Sequence, residues 1–246
     1  DEKRKEKADR ISRLFWDDTV PCVEFREVSF RYSKTGENAL SNVTFALPRG
    51  QTLGVIGGTG AGKSTLVHLT PRFYRATQGE VRFCGINVNE IPAKELRAQI
   101  GLVSQGASLF SGSIEDNIRW GDPSATEQQL WDAARTAQAA EFIEDKPSKM
   151  KTYLGRGGKG LSGGQRQRLT IARALARRPR LLILDDAASA LDFATDAKLR
   201  KALKGEVKDA IMMIVAQRVS TIMNADQIVV LNEGRVVGQG THSELL

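Results

Sequence analysis

Residues 57–65 read Gly-Gly-Thr-Gly-Ala-Gly-Lys-Ser-Thr. Within Gly57, Gly58, Thr59, Gly60, Ala61, Gly62, Lys63, Ser64 and Thr65, the fixed positions of G-x-x-x-x-G-K-[ST] fall on Gly57, Gly62, Lys63 and Ser64. Glycines at this spacing let successive backbone N–H groups turn inward as a nest for phosphate oxygens. A helix starting at Lys63 adds its positive N-terminal end. In that pattern the Lys63 ammonium can reach the β- and γ-phosphates of a nucleotide, and the Ser64 hydroxyl can ligate Mg²⁺. The competing reading is a glycine-rich turn met by chance. Four fixed positions recur in roughly 1% of chains this long, and an apolar strand before the loop with a helix after it lowers that further.

Two more groups fit phosphate chemistry. Asp185 closes the apolar run Leu181-Leu182-Ile183-Leu184. A carboxylate at the carboxyl end of a strand, beside a phosphate loop, can hold Mg²⁺ through water. Leu161-Ser162-Gly163-Gly164-Gln165 precedes a long basic helix. Ser162 with Gln165 reads locally as a capping box, which leaves Gly163 and Gly164 unexplained. Paired glycines at a helix N-terminus let an anion approach the backbone.

Elements that position these groups follow from periodicity. Val23, Phe25, Val28 and Phe30 mark an early strand, with others at 42–46, 52–56, 80–83, 100–104, 181–184, 211–215, 227–231 and 235–237. Helices are expected at 63–69, 93–98, 126–140, 163–177 and 193–203. Alternating strands and helices imply an α/β fold with a mainly parallel sheet. The stretch 106–160 differs, with no strand pattern. Residues 1–20 are highly charged, with Ile11, Leu14 and Phe15 at helical spacing, and read as a linker helix.

The chain has 246 residues, 41% hydrophobic and 26% charged, enough for a buried core. It holds no apolar run near the roughly 20 residues of a membrane helix. A net charge of +7 suits nucleic acid, anionic lipid, a phosphate ligand or simply a solvated surface. Cys22 and Cys84 lack metal-ligand spacing with His68 and His242, and read as small buried hydrophobes. The first residue is Asp1 and the last Leu246, and the expectation is a piece of a longer protein.

With the phosphate loop, the full five-residue signature at 161–165 and their order, the sequence resembles the nucleotide-binding domain of ABC transporters. The resemblance runs from about residue 22 to the end. It is nearest to exporter-type members, on Gln105 with Ser108-Leu109-Phe110-Ser111-Gly112-Ser113-Ile114 and on the segment from Val215 to Thr221. It implies a P-loop NTPase (RecA-like) core with an antiparallel β subdomain and an inserted helical subdomain at about 106–166. It implies ATP and Mg²⁺ as ligands. Tyr32 resembles the aromatic that stacks on adenine; from residues alone it reads equally as a packed strand aromatic. Gln105 resembles the loop glutamine that contacts Mg²⁺ and couples to a membrane domain. Asp192, in Ser189-Ala190-Leu191-Asp192, resembles part of a loop crossing a dimer interface, or is the N-cap of the next helix.

The family pairs two such domains head to tail, with ATP between the phosphate loop of one and the signature of the other. Two positions depart from its pattern. Asp186 stands where Glu is usual, and Gln217 where His is usual. Both would act on the attacking water and γ-phosphate, so the expected catalytic residues Asp186 and Gln217 describe a site that holds ATP and cuts it slowly. The expected partners are a second ATPase domain with the usual Glu and His, forming a heterodimer, and a transmembrane domain of the same chain. The location implied is the cytoplasmic face of a cell membrane. Arg156 stands where an acidic residue is common, and nothing in the sequence explains it. Rival readings are a soluble ABC-type ATPase acting on DNA, disfavoured by the short, heptad-free distance between loop and signature, and a regulatory module without turnover.

Overall fold

The computed structural model describes residues 20–187, 189–206 and 211–246. The linker helix expected at 1–20 thus lies outside the described residues but for its last position. In chain order the elements are β1 (Val23–Phe30), β2 (Leu40–Leu47), β3 (Thr52–Gly57), α1 (Lys63–Leu69), β4 (Gln78–Phe83), β5 (Ile86–Asn87), α2 (Ala93–Ala98), β6 (Ile100–Val103), β7 (Gly112–Ser113), α3 (Ile114–Arg119), α4 (Glu127–Thr136) and α5 (Ala140–Glu144). Then come β8 (Tyr153–Leu154), α6 (Gly163–Ala176), β9 (Leu181–Asp185), α7 (Phe193–Glu206), β10 (Ile211–Ala216), α8 (Val219–Ile222), β11 (Gln227–Asn232) and β12 (Arg235–Gly240). They fall into two compact units. The first takes the described residues through Arg97 together with Ile211–Leu246, and the second those from Ala98 to Ala210.

The first unit contains an antiparallel sheet of order β2-β1-β4-β5. The apolar positions of β1 are 23, 25, 28 and 30, so the alternation slips by one residue midway. A bulge absorbs the slip: the β1–β2 register shifts between Phe25 and Val28, and Glu27 sits at φ 50. All four apolar residues are thereby buried, and Phe25 stacks on Phe45 at 4.6 Å. The same unit holds the strand order β12-β11-β3-β10, in which β3 runs parallel to both neighbours. Leu53 and Val55 of β3 are fully buried, and α1 follows directly from the loop that β3 releases.

In the second unit β6 and β9 pair in parallel, Val103 opposite Leu184. All five residues of β9 are buried, as expected of a continuous apolar run in a parallel sheet. Ser113, Thr126 and Ser162 open α3, α4 and α6 with complete capping boxes, closed by Asp116, Gln129 and Gln165. The helix expected at 126–140 is two helices, because Gln138 turns to φ 58 and stops the first. The stretch read as strand-free contains the pair β7–β8, Gly112 with Leu154 and Ser113 with Tyr153. Two-residue strands are too short to show a period.

Basic residues of α6 serve the interior of this unit. Arg166 donates to Leu161 O at 2.6 Å and Arg168 to Gln138 O at 2.6 Å, while the exposed Arg177, capping the helix, donates to Gly121 O at 2.9 Å. Arg173 donates to Asn117 O, Ser108 O and Asn117 Oδ1 at 2.8, 2.9 and 2.9 Å, with its guanidinium 5.1 Å from the Phe110 ring centroid. Burial pulls the Arg168 and Arg173 pKa values down from the usual arginine value. The guanidinium groups thus tie loops to the helix through their carbonyls.

Candidate functional site

In the first unit, register decides which groups share an edge. Ile56 of β3 lies beside Ala216 of β10 and Val230 of β11, and Gly57 beside Leu231. The phosphate loop and Gln217 therefore leave adjacent strands at the same end, where parallel sheets place their ligands. Gly62 adopts φ 101 at the N-cap of α1, and a Cβ there would stand 2.7 Å from Ala39 O and from Leu40 Cδ2. No other residue fits that turn without displacing backbone. Gly58, Thr59, Gly60 and Ser64 are exposed, and a Cβ on Gly58 or Gly60 would meet no atom within 4 Å. Lys63 Nζ donates to Gly57 O at 2.7 Å and Gly58 O at 2.8 Å, folded over the loop. Ala61 and Thr65 are buried beneath it. An open cradle of exposed glycines, one ammonium and one hydroxyl fits the phosphates of a nucleotide.

Tyr32 is 59% exposed. Its hydroxyl and Thr65 Oγ1 share a hydrogen bond of 2.9 Å. One part of the Tyr32 ring packs on Phe30 and the rest is presented to solvent, so it is not the core-packed strand aromatic that its local sequence equally allowed. Tyr74, also beside Tyr32, was not singled out; the signal available was an aromatic pair, Phe73-Tyr74, just past the phosphate helix.

In the second unit β6 and β9 end together. Gln105 Nε2 donates to Asp186 Oδ2 at 3.1 Å, across 81 residues of chain. Asp186 sits at φ 51, a left-handed conformation that turns the chain sharply after the strand. Asp185, at 8% exposure, is buried at the strand's last position. Gln105 is exposed. The local capping reading of the signature is what the geometry contains: Ser162 Oγ accepts from Gln165 N at 3.2 Å, and Ser162 N donates to Gln165 Oε1 at 3.0 Å. The glycines divide the labour. Gly163 is exposed, whereas a Cβ on Gly164 would press on Ala190 O at 3.2 Å. Asp192 caps α7, accepting from Thr195 N at 2.9 Å and Thr195 Oγ1 at 2.7 Å. Those bonds, the backbone one first, hold its carboxyl below the usual aspartate range. Among the described residues no cluster of three or more His, Cys, Asp or Glu is arranged to hold a metal, so a divalent ion here would depend on phosphate oxygens and water as further ligands. Cys22 and Cys84 are buried, as expected. No described helix is long and apolar enough to cross a membrane.

A family model described as ABC transporter matches residues 40–189. An uncharacterized ABC transporter ATP-binding protein of Bacillus subtilis is 46% identical over 224 residues, 91% of this chain and 39% of the relative. An ATP-dependent lipid A-core flippase of Coxiella burnetii is 43% identical, covering 92% of this chain and 38% of its own length. Among solved structures, a bacterial Atm1-family ABC exporter with ATP bound superposes with a TM-score of 0.89 at 35% identity, covering 92% of this chain and 40% of that one. The chain thus spans about two fifths of these relatives.

Proposed function

The chain belongs to the ABC transporter family, as an α/β nucleotide-binding domain of exporter type, and on that premise we propose that it powers export across a membrane from an ATP site that hydrolyses slowly. The phosphate loop with Lys63 grips the phosphates and Tyr32 carries the adenine. Mg²⁺, when bound, neutralises charge on the β- and γ-phosphates; Ser64, Gln105 and Asp185 are its partners from this chain. Dimerisation is head to tail with a second ATPase domain that has the usual Glu and His. The exposed Gly163 and the capped Ser162 serve that partner's nucleotide, with Gly164 and Gln165 holding the turn and Asp192 fixing the neighbouring loop. A linker at 1–20 joins the domain, residues 21–246, to a transmembrane domain of the same chain, which places it on the cytoplasmic face.

The observation that carries the slow-hydrolysis reading is Asp186. Its carboxylate is one C–C bond shorter than Glu and is engaged by Gln105. A misplacement of about 1 Å can cost on the order of 10²-fold in rate. Gln217 can donate a hydrogen bond to a γ-phosphate but cannot gain charge as His does. Single-turnover hydrolysis by the full chain with its partner tests this. Asp186→Glu with Gln217→His is expected to raise the rate at this site at least tenfold. An unchanged rate refutes the reading. A partner sequence carrying the same two substitutions beside an intact signature refutes the unequal pairing.

A further inference from the structure

We propose that Tyr74 is a positioning residue for nucleotide binding, holding the Tyr32 ring in the orientation that receives the base. The proposal rests on the reading of Tyr32 as the base-stacking residue. An exposed tyrosine on a loop ordinarily samples several rotamers, and a ligand that stacks on it must first order it. Tyr32 is held at three points. Its hydroxyl is bonded to Thr65 at 2.9 Å. Its ring meets Phe30 at 4.8 Å and 84°, and Tyr74 at 5.3 Å and 86°. Near-perpendicular rings at these separations are the favoured edge-to-face arrangement. Tyr74 also meets Phe30 at 5.5 Å, so the three rings close on one another.

The placement of the two polar and aromatic anchors matters. Thr65 lies in the first turn of α1, immediately after Lys63 and Ser64. Tyr74 lies just past the other end of the same helix. The chain turns there through Arg72 N to Leu69 O and Phe73 N to His68 O, both 3.0 Å. His68, in the last turn, is 6.2 Å from the Tyr74 ring. One helix therefore carries the phosphate grip at its start and the support for the base platform at both ends. It spaces the two halves of the ligand. Phe30 is buried in the sheet and would be held there in any case. Tyr74 is 43% exposed, and burial alone does not account for a ring at that site.

A residue that acts through the base platform affects ligands with a base and spares those without one. The test is equilibrium binding of Mg·ATP and of Mg·tripolyphosphate to the full chain and its Tyr74→Ala, Tyr74→Phe, Tyr32→Ala and double-alanine variants. Tyr74→Ala is expected to weaken ATP about three- to tenfold, the size of an edge-to-face contact, and to leave tripolyphosphate unchanged. Tyr74→Phe should bind ATP as the parent does. The double variant should bind no more weakly than Tyr32→Ala alone. Tyr74→Leu keeps apolar bulk without the ring, carries the same expectation as Tyr74→Ala, and serves if the alanine variant folds poorly. Loss of ATP in Tyr32→Ala without loss in Tyr74→Ala or Tyr74→Leu overturns the proposal alone. Equal weakening of both ligands in Tyr74→Leu, or additive losses in the double variant, does the same. Equal ATP binding by the parent and Tyr32→Ala overturns the base-stacking role as well.

Discussion

Replacing Arg173 by Met tests whether the arginines of α6 hold the helical part of the second unit together. Methionine keeps most of the apolar stem and removes the guanidinium. Three donated bonds disappear, to Asn117 O, Ser108 O and Asn117 Oδ1, together with the contact over Phe110. Charge-assisted bonds of this kind are worth about 1.5–3 kcal/mol each. Part of that is offset, because Arg173 no longer gives up its hydration, a penalty visible as its lowered pKa. Asn117 Oδ1 also keeps its bond from Phe110 N. The net expectation is about 3 kcal/mol, or a melting temperature lower by about 6–12 °C for a chain of this size. Arg173→Lys should lose roughly half as much, because a point charge cannot serve three acceptors as a planar fork does. The assay is thermal unfolding followed by circular dichroism, with hydrogen exchange reading the amides of α3. Asn117→Ala in a double-mutant cycle should couple to Arg173→Met by about 1 kcal/mol, since the two share bonds. A melting temperature within about 2 °C of the parent, or strictly additive losses, would refute the reasoning.

Two further outcomes are expected. Ser162→Asp preserves the N-cap, since Asp caps as well as Ser, but sets a negative charge where the proposed dimer brings the partner's nucleotide. Melting should be unchanged while ATP-dependent association with the partner, measured by sedimentation, weakens sharply; unchanged association would count against the sandwich. In acid, the Asp116 carboxyl contributes through its capping box. Hydrogen bonding from Ser113, side chain first and backbone second, holds its pKa below the ordinary aspartate value of about 3.9. Its stabilisation is therefore complete above that ordinary value and is lost as pH falls through the lowered one. Asp116→Asn should flatten the stability profile in that window alone, and a parallel profile for both proteins would sink the assignment.

The phosphate loop was legible because its residues are contiguous and its geometry is set by backbone nests that only glycine permits. The position of Asp185 was legible because an apolar run buried on both faces has to end at a polar residue; many strands end in Asp at a turn, so its reading toward Mg²⁺ came from the phosphate loop beside it. The dual readings of Ser162 and Asp192 were both visible in the sequence, and the capping halves of those readings are present as hydrogen bonds. The interactions that were not legible join distant positions. Gln105 reaches Asp186 across 81 residues, Arg173 reaches Asn117 across 56 and Ser108 across 65, and Tyr32 finds Thr65 across 33. Each depends on where strands and helices finish packing, which local periodicity does not encode. The break at Gln138 and the strands at Gly112–Ser113 and Tyr153–Leu154 were missed for the opposite reason. The strands are a single period of the β alternation and the break is one residue, so no pattern repeats.

Lys63 rests its ammonium on Gly57 O and Gly58 O. An incoming phosphate thus does not meet an idle cation. On the proposed phosphate-gripping role of Lys63, it would compete with two carbonyl acceptors already in place, so occupation of the loop would be an exchange of acceptors with a net gain equal to the difference between them. The same exchange runs backward on departure: carbonyls a few ångströms away stand ready to take the ammonium, which lowers the cost of letting a spent nucleotide go. Grip and release would then be two settings of one side chain, tuned by how good a substitute for phosphate the loop itself provides.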